Sequence, residues 1–433
     1  MFYFLRNHIK TFRQSKFVRN VFAVATGIAA AQAISMAFMP FLTRLYSPEA
    51  FGALAAFTAI LNIITPLATL GYANAIVMPK TEEEANVVAR LSLVSAAIVS
   101  PIALIIVYVF QSQLATLVGL ESEPNLLYLI PISLVFVALL SVANQVAIRD
   151  GLFKVKSGSY VLSNFIINLG KLGAGYISAS GITLIILSIF ANLINYIILM
   201  ARVPKVGSFD FRQWFGITGI RKAAFEHKDF AIYRLPQSML NAAAVGLPVI
   251  LLTNYYGSSA AGYYSLTTLI LGAPVLLLGQ SVGEVFYPKI TNAIRQQASN
   301  SLQLVIKATL ALGGVAMIPF GTVILFGPDL FAFAFGEQWK TAGEYAQWIA
   351  PWLACVLATR GILAAFPILN LQSYLLVQEV FSIILRSLAL IVGLKYYQSD
   401  LIAIALFSVV GIILMLGLAI VGVKKLIKES RLW

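Results

Sequence analysis

The sequence predicts an all-α integral membrane protein. Twelve transmembrane helices are expected, in two pseudo-symmetric six-helix lobes around a central cationic cavity. Three observations carry that expectation. Of 433 residues, 60% are hydrophobic and 11% charged, with a mean hydropathy of +0.88, whereas soluble domains carry about 25% charged residues. Apolar runs of roughly 20 residues, long enough to cross a bilayer, recur along the whole chain. Four basic residues, Lys171, Arg234, Arg360 and Arg386, lie within or just inside the ends of those runs. A charge in hydrocarbon costs at least about 2.5–3.5 kcal/mol, so such residues face a protein interior or a wet cavity.

The apolar runs fall at 20–45, 50–78, 86–110, 125–148, 157–178, 182–203, 229–255, 260–287, 302–327, 342–368, 373–395 and 400–423. Residues 1–19 form a basic amphipathic N-terminus. The run behind it is too long for a signal-peptide core and reads as a retained first helix. Residues 20–203 make the N-terminal lobe, 204–228 a cytoplasmic amphipathic linker, and 229–433 the C-terminal lobe with its basic tail. The linker mixes aromatic and basic residues (Phe209, Phe211, Arg212, Trp214, Phe215, Phe225, Lys228). That composition suits a helix lying on an anionic leaflet, although anchoring of topology is the commoner reason for such flanks. Trp339, Trp348 and Trp352 read as an interfacial aromatic belt.

With the N-terminus in the cytoplasm, the Lys and Arg residues of the loops and termini fall on the cytoplasmic side. The exceptions are Arg44, Lys340 and Lys395. This asymmetry orients the chain with both termini cytoplasmic and requires an even number of spans. It also accounts for the net charge of +13 without nucleic acid as a partner.

The halves repeat. Leu42-Thr43-Arg44-Leu45-Tyr46 through Ala50-Phe51-Gly52 follows the first span, and Leu252-Thr253-Asn254-Tyr255-Tyr256 through Ala260-Ala261-Gly262 follows the seventh. At an offset of 210 residues Leu, Thr, Tyr, Ala and Gly coincide. Two halves of six spans share one orientation, so their pseudo-twofold runs along the membrane normal and a site between them lies near midplane. A second alignment, at an offset of 215, matches Lys171 with Arg386 and Asn164 with Glu379.

Against four intramembrane cations stand two comparable acids, Glu284 and Glu379, which suggests a path for something negative. The acids are candidates for ion coupling or for charge balance with neighbouring cations. Amides within the spans, among them Gln32, Asn164, Asn168 and Asn241, would line a polar cavity or simply bond helix to helix. Arg234 and Glu284 lie near helix ends, where snorkelling is the alternative. A lone Cys355 allows no disulfide framework, and the isolated His8 and His227 supply no metal-ligand cluster. There is no phosphate-binding loop of the G-x-x-x-x-G-K-[ST] type and no cofactor signature. Short outer loops with a single acid, Glu49, in the first argue against an enzyme.

Several motifs together resemble a known family. Pro40-Phe41-Leu42-Thr43-Arg44-Leu45-Tyr46-Ser47-Pro48-Glu49 and Gly71-Tyr72-Ala73-Asn74 through Pro79-Lys80 are similar to segments of Wzx-type bacterial polysaccharide flippases. So are Tyr233-Arg234-Leu235-Pro236, Gly262-Tyr263-Tyr264-Ser265-Leu266, Ala273-Pro274 through Phe286-Tyr287-Pro288, and Phe335-Gly336-Glu337-Gln338-Trp339. This is the oligosaccharidyl-lipid branch of the multidrug/oligosaccharidyl-lipid/polysaccharide exporter superfamily. The resemblance implies translocation of undecaprenyl-pyrophosphate-linked oligosaccharide across the bacterial cytoplasmic membrane, by alternating access, for O-antigen, capsule or exopolysaccharide. It implies membrane lipids, polymerase and chain-length machinery as partners. Lys171 and Arg386 would hold the pyrophosphate, Arg360 and Arg234 would guide it in, and Arg44 is a candidate outer gate or an ordinary loop contact. The rival readings are an ion-coupled drug or metabolite exporter, expected to favour acidic cavity residues, and a membrane glycan ligase or polymerase. A lipid-II-type flippase would be expected to have fourteen spans.

Overall fold

The computed structural model describes residues 16–121, 123–203, 211–295, 301–369 and 371–430. His8 and most of the basic N-terminal stretch lie outside the described residues, as do Phe209 and the side chains of Arg212 and Glu284. Every regular element among the described residues is helical. The chain divides into two compact units, Met1–Tyr46 with Ala53–Gly246, and Ser47–Gly52 with Leu247–Trp433.

The first unit contains α1 (Lys16–Leu45), most of α2 (Pro48–Ile64), α3 (Glu82–Val109), the short α4 (Gln111–Val118), α5 (Leu129–Arg149), α6 (Phe153–Ile177) and α7 (Gly181–Arg202). Caps set two of the starts. Thr81 Oγ1 accepts the Glu84 amide at 3.3 Å, and Ser180 Oγ accepts that of Thr183 at 3.3 Å, satisfying amides that the first helical turn leaves open. Gly119 ends α4 in the left-handed region (φ 65°).

The second predicted span, 50–78, is α-helical only to Ile64. It continues as 3-10 turns at Thr65–Thr69 and Tyr72–Ala75, separated by Leu70 (φ 49°) and Gly71 (φ 78°). Pro66 lacks a donor and its ring collides with the preceding turn, which ends the α-helix. Gly71 is required on two counts. Its φ is positive, and a Cβ there would come within 2.9 Å of the Phe230 carbonyl oxygen.

Residues 211–226 pack into the first unit. Trp214 is 1% exposed in a core with Ile76, Val88, Val146 and Leu199, and Gln213 accepts hydrogen bonds from Asn86 and Arg90, both at 2.6 Å. Phe215 and Phe225 remain exposed. Arg149 closes the same end. Its guanidinium donates to the carbonyls of Ile76 (3.3 Å), Pro79 (2.6 Å) and Thr81 (2.9 Å). In the sequence this residue is only one of the positive charges that set topology.

After the short α8 (Ile220–Glu226) and a π-helical turn at Phe230–Arg234 comes α9 (Leu235–Arg295). Gly257, at φ 79° and ψ 177°, divides α9 where the sequence places the gap between the seventh and eighth spans. The second unit continues with α10 (Ser301–Phe335), α11 (Lys340–Leu363), α12 (Gln372–Tyr396) and α13 (Asp400–Ser430). α10 kinks at Phe326 (φ −125°), just before Gly327-Pro328, and runs on past the predicted end at 327.

Ten helical stretches among the described residues are long and apolar enough to span a membrane. One of them, Phe230–Gly279, contains the Gly257 break. α6 is absent from the ten because Asn164, Asn168, Lys171 and several serines dilute its hydropathy. Dividing the one and adding the other gives twelve membrane-length segments.

The segments matched by the repeat meet one another inside the second unit. A Cβ on Gly52 would stand 1.6 Å from the Ser258 carbonyl oxygen, and one on Gly262 2.0 Å from that of Pro48. The contacts are reciprocal at the 210-residue offset, as a local twofold between repeated segments demands. Glu49 and Ser259, also 210 apart, are joined by a hydrogen bond from the hydroxyl to the carboxylate. Small residues allow this approach of two backbones.

Substitutions at Gly52 and Arg149, with Gly321 as a control, test these contacts. Gly52→Leu is expected to cost about 3 kcal/mol or more by overpacking, read as a lowered melting temperature in detergent. Gly321→Ala, where a Cβ meets open space, should change it little. Arg149→Ala, which strands three carbonyls, should cost about 2–3 kcal/mol and increase proteolysis at 76–81. Unchanged protease resistance would show that Arg149 does not hold that loop.

Candidate functional site

The candidate residues are distributed over both units. In the first, Asn164, Asn168 and Lys171 fall on one face of α6, at spacings of four and three residues. Asn164 Oδ1 accepts from Ser35 Oγ on α1 at 3.3 Å, and Asn168 Nδ2 donates to the Asn164 carbonyl at 2.8 Å. Gln32 lies one turn before Ser35 and is half-buried. Below this polar ladder α1 and α6 are held close. Gly175 leaves room for the Tyr46 ring, a Cβ there falling 2.9 Å from it, and Tyr46 Oη donates to the Lys171 carbonyl at 2.8 Å. The Lys171 side chain is half-buried, and no carboxylate pairs with it among the described residues.

In the second unit, Arg386 on α12 is set among aromatic rings. Its guanidinium carbon lies 3.8 Å from the ring centre of Trp352 on α11 and 3.8 Å from that of Phe407 on α13. The two rings meet edge to face, 5.8 Å apart, and Tyr264 packs on Phe407 at 6.1 Å. A guanidinium over desolvated rings gains about 2 kcal/mol from their quadrupoles. The rings satisfy the flat face of the cation but accept no hydrogen bond at its edge. Nε and Nη2, the two donors that point the same way, are buried without an acceptor, as is Nε1 of Trp352. The edge is a bidentate fork matched to a carboxylate or a phosphate.

The remaining candidates are more open. Arg234 is exposed at the end of the π-helical turn and donates to Gln237 Oε1 at 3.2 Å. Arg360 is exposed near the end of α11, beside Gly279 of α9. Glu379 and Asn241 are exposed, and Arg44 is exposed in the last turn of α1. Among the described residues the two ion pairs are Lys222–Glu226 and Lys425–Glu429, both one helical turn apart and outside the candidate set.

The sequence reading missed the aromatic surround of Arg386. Trp352 is no belt residue, because its ring covers the cation. Trp339 is none either. It is fully buried, 5.2 Å from the Phe51 ring and 6.0 Å from Tyr263. Trp348 alone of the three stands exposed. Residue type and distance from a helix end are the only belt signals in a sequence, and neither reports which helix face is internal. Ser35, which joins α1 to the α6 amides, was likewise one unremarkable serine among many.

No metal-binding group of three or more His, Cys, Asp or Glu side chains occurs among the described residues.

The geometry can be set beside known proteins. The fold is similar to that of an inward-facing multidrug resistance MATE family transporter of the MOP superfamily, with a TM-score of 0.72, 13% identity, and 93% of this chain and 96% of that one covered. It is also similar to the lipid II flippase MurJ in an inward closed conformation, with a TM-score of 0.69, 15% identity, and 95% and 90% covered. At these identities the likeness is one of fold. By sequence, the chain is 26% identical over 331 residues to the succinoglycan biosynthesis transport protein ExoT of Rhizobium meliloti strain 1021. The match covers 75% of this chain and 62% of that relative's length. The family model described as polysaccharide biosynthesis protein matches residues 41–344, most of the first unit and about half of the second. This chain therefore belongs to the polysaccharide biosynthesis protein family.

Proposed function

We propose that the protein is a flippase that carries undecaprenyl-pyrophosphate-linked oligosaccharide across the bacterial cytoplasmic membrane by alternating access, supplying surface polysaccharide synthesis. Both termini lie in the cytoplasm in this reading, and the chain performs no covalent chemistry. The observation that carries the proposal is Arg386, a cation held among membrane-spanning helices with its bidentate edge buried and unmet. Burying such donors without a partner is costly. Occupation by a phosphate oxygen pair would repay that cost during the transport cycle. The family membership and the relative named as a transport protein support the same reading.

In this reading Arg386 grips one phosphate through the parallel Nε and Nη2 donors, while Trp352 and Phe407 keep the guanidinium plane fixed. Lys171, in the first unit, offers a compact positive charge to the negatively charged part of the substrate, its backbone held by the Tyr46 hydrogen bond. Asn164, Asn168, Asn241 and Gln32 meet sugar hydroxyls. Arg234 and Arg360, being exposed, attract the headgroup from the cytoplasmic side. Because arginine does not release its proton, coupling to protons falls to Glu379, Glu284 or Lys171, and Arg44 acts at the outer mouth. No step requires a cofactor. The polymerase and chain-length machinery of the pathway would take up the product.

Deleting the gene should make lipid-linked repeat units accumulate on the cytoplasmic side and abolish the surface polymer. Wild-type protein should restore the polymer and the Lys171→Gln/Arg386→Gln double variant should not. Restoration by the double variant would remove both residues from the site. Glycan transfer by the purified protein would point to a ligase or polymerase instead. Arg386→Lys retains charge but loses the fork, and should lower flipping in proteoliposomes about 10-fold or more. Transport equal to wild type would leave the bidentate role without support. Trp352→Leu should lower the melting temperature by a smaller amount in an Arg386→Gln background than in wild type, since the cation–π contact is then already lost.

A further inference from the structure

We infer that the first unit carries a saccharide pocket of its own, built for a sugar with a negatively charged substituent. This rests on the reading of the protein as a carrier of lipid-linked saccharide. The pocket is a cavity of about 310 Å³ beside the broken end of α2, within the first unit alone. Its volume lies at the small end of ligand sites, which run from roughly 300 to 1,000 Å³.

Three features of the lining specify the ligand. The first is its hydrogen-bonding character. Thr69, Asn74, Asn144, Gln145 and Ser238 line the cavity, and paired amides and hydroxyls both donate and accept, as sugar hydroxyls require. Gln145 Nε2 donates to Asn74 Oδ1 at 3.1 Å, which sets the orientation of both amides. The Asn144 and Ser238 side chains make no hydrogen bond among the described residues and are available to a ligand.

The second feature is charge. Lys156 lines the cavity, half-buried, and no Asp or Glu lines it. An ammonium set among neutral polar groups is best satisfied by a ligand that brings its own negative charge. A neutral hexose would leave it unmet.

The third is the backbone. The helix breaks over Thr65–Ala75, with Leu70 and Gly71 both at positive φ. A β-unbranched but bulky leucine is rarely held there, and such strain concentrates at ligand sites. Breaking a helix inside a membrane protein is tolerated where the freed backbone faces a polar cavity. Here Thr65, Thr69, Gly71, Ala73 and Asn74 of the broken segment all line the pocket.

The test uses the full chain in nanodiscs and three short-chain polyprenyl diphosphates, headed by glucuronic acid, by glucose, or by no sugar. Wild type should bind the glucuronic acid probe at least 10-fold more tightly than the glucose probe. Lys156→Gln should erase that preference. Asn144→Leu should weaken both sugar-headed probes several-fold and leave the sugar-free diphosphate unaffected. Asn144→Ser, a smaller change, should give a partial loss in the same direction, and the melting temperature of each variant reports that it is folded. Equal binding of the two sugar probes by wild type, or a preference that survives Lys156→Gln, would overturn the pocket assignment. So would competition by phosphatidylglycerol as strong as by the glucuronic acid probe, since the site would then hold a membrane lipid. The functional reading fails separately, if the sugar-free diphosphate binds the Lys171→Gln/Arg386→Gln variant as well as it binds wild type.

Discussion

A positive charge placed among apolar helices must be met by an anion, by π-electrons or by water. In this protein neither Lys171 nor Arg386 forms an ion pair among the described residues. Arg386 is met on its face by Trp352 and Phe407 and is left open along its edge. The aromatic contact recovers part of the desolvation cost and holds the guanidinium in one plane, and the donor edge stays without an acceptor. A buried carboxylate partner would have brought a desolvation cost of its own, which its attraction to the cation need not outweigh.

The same solvent explains how the helices pack. Lipid provides little hydrophobic drive for helix association, so close approach and internal hydrogen bonds matter most. Gly52 against Ser258, Gly262 against Pro48 and Gly175 against Tyr46 bring backbones or rings within reach that any side chain would block. Hydroxyls along the helices mostly bond to the carbonyl one turn back, as Thr58, Ser92, Ser95, Ser133 and Thr253 do. Such residues are polar in sequence but satisfied in place. They mark no site, which separates them from Asn144 and Lys156 in the pocket of the first unit.

The two units treat their polar groups differently. The first gathers amides and hydroxyls, on α6 and around the broken end of α2, with Lys171 and Lys156 among them. The second sets one guanidinium among rings.

Much of the fold was legible in the sequence because the bilayer imposes a length and a polarity on every crossing element. Apolar runs therefore marked the spans, including the gap at Gly257 that a continuous α9 conceals, and the 210-residue repeat picked out segments that do meet. The four intramembrane cations were legible for the same reason, since charge in hydrocarbon is expensive enough to be informative wherever it occurs. What only the tertiary structure decided depends on which faces turn inward. Trp352 and Trp339 look like interfacial anchors until the helices are packed, and Arg149 looks like a topology charge until three carbonyls are found around it. The break after Ile64, with Leu70 at positive φ, has no periodic signature. Pro66 hints at it, but the pocket exists because α5, α6 and the start of α9 close around the break. Hydropathy records how much each residue dislikes water, and only packing assigns it a neighbour.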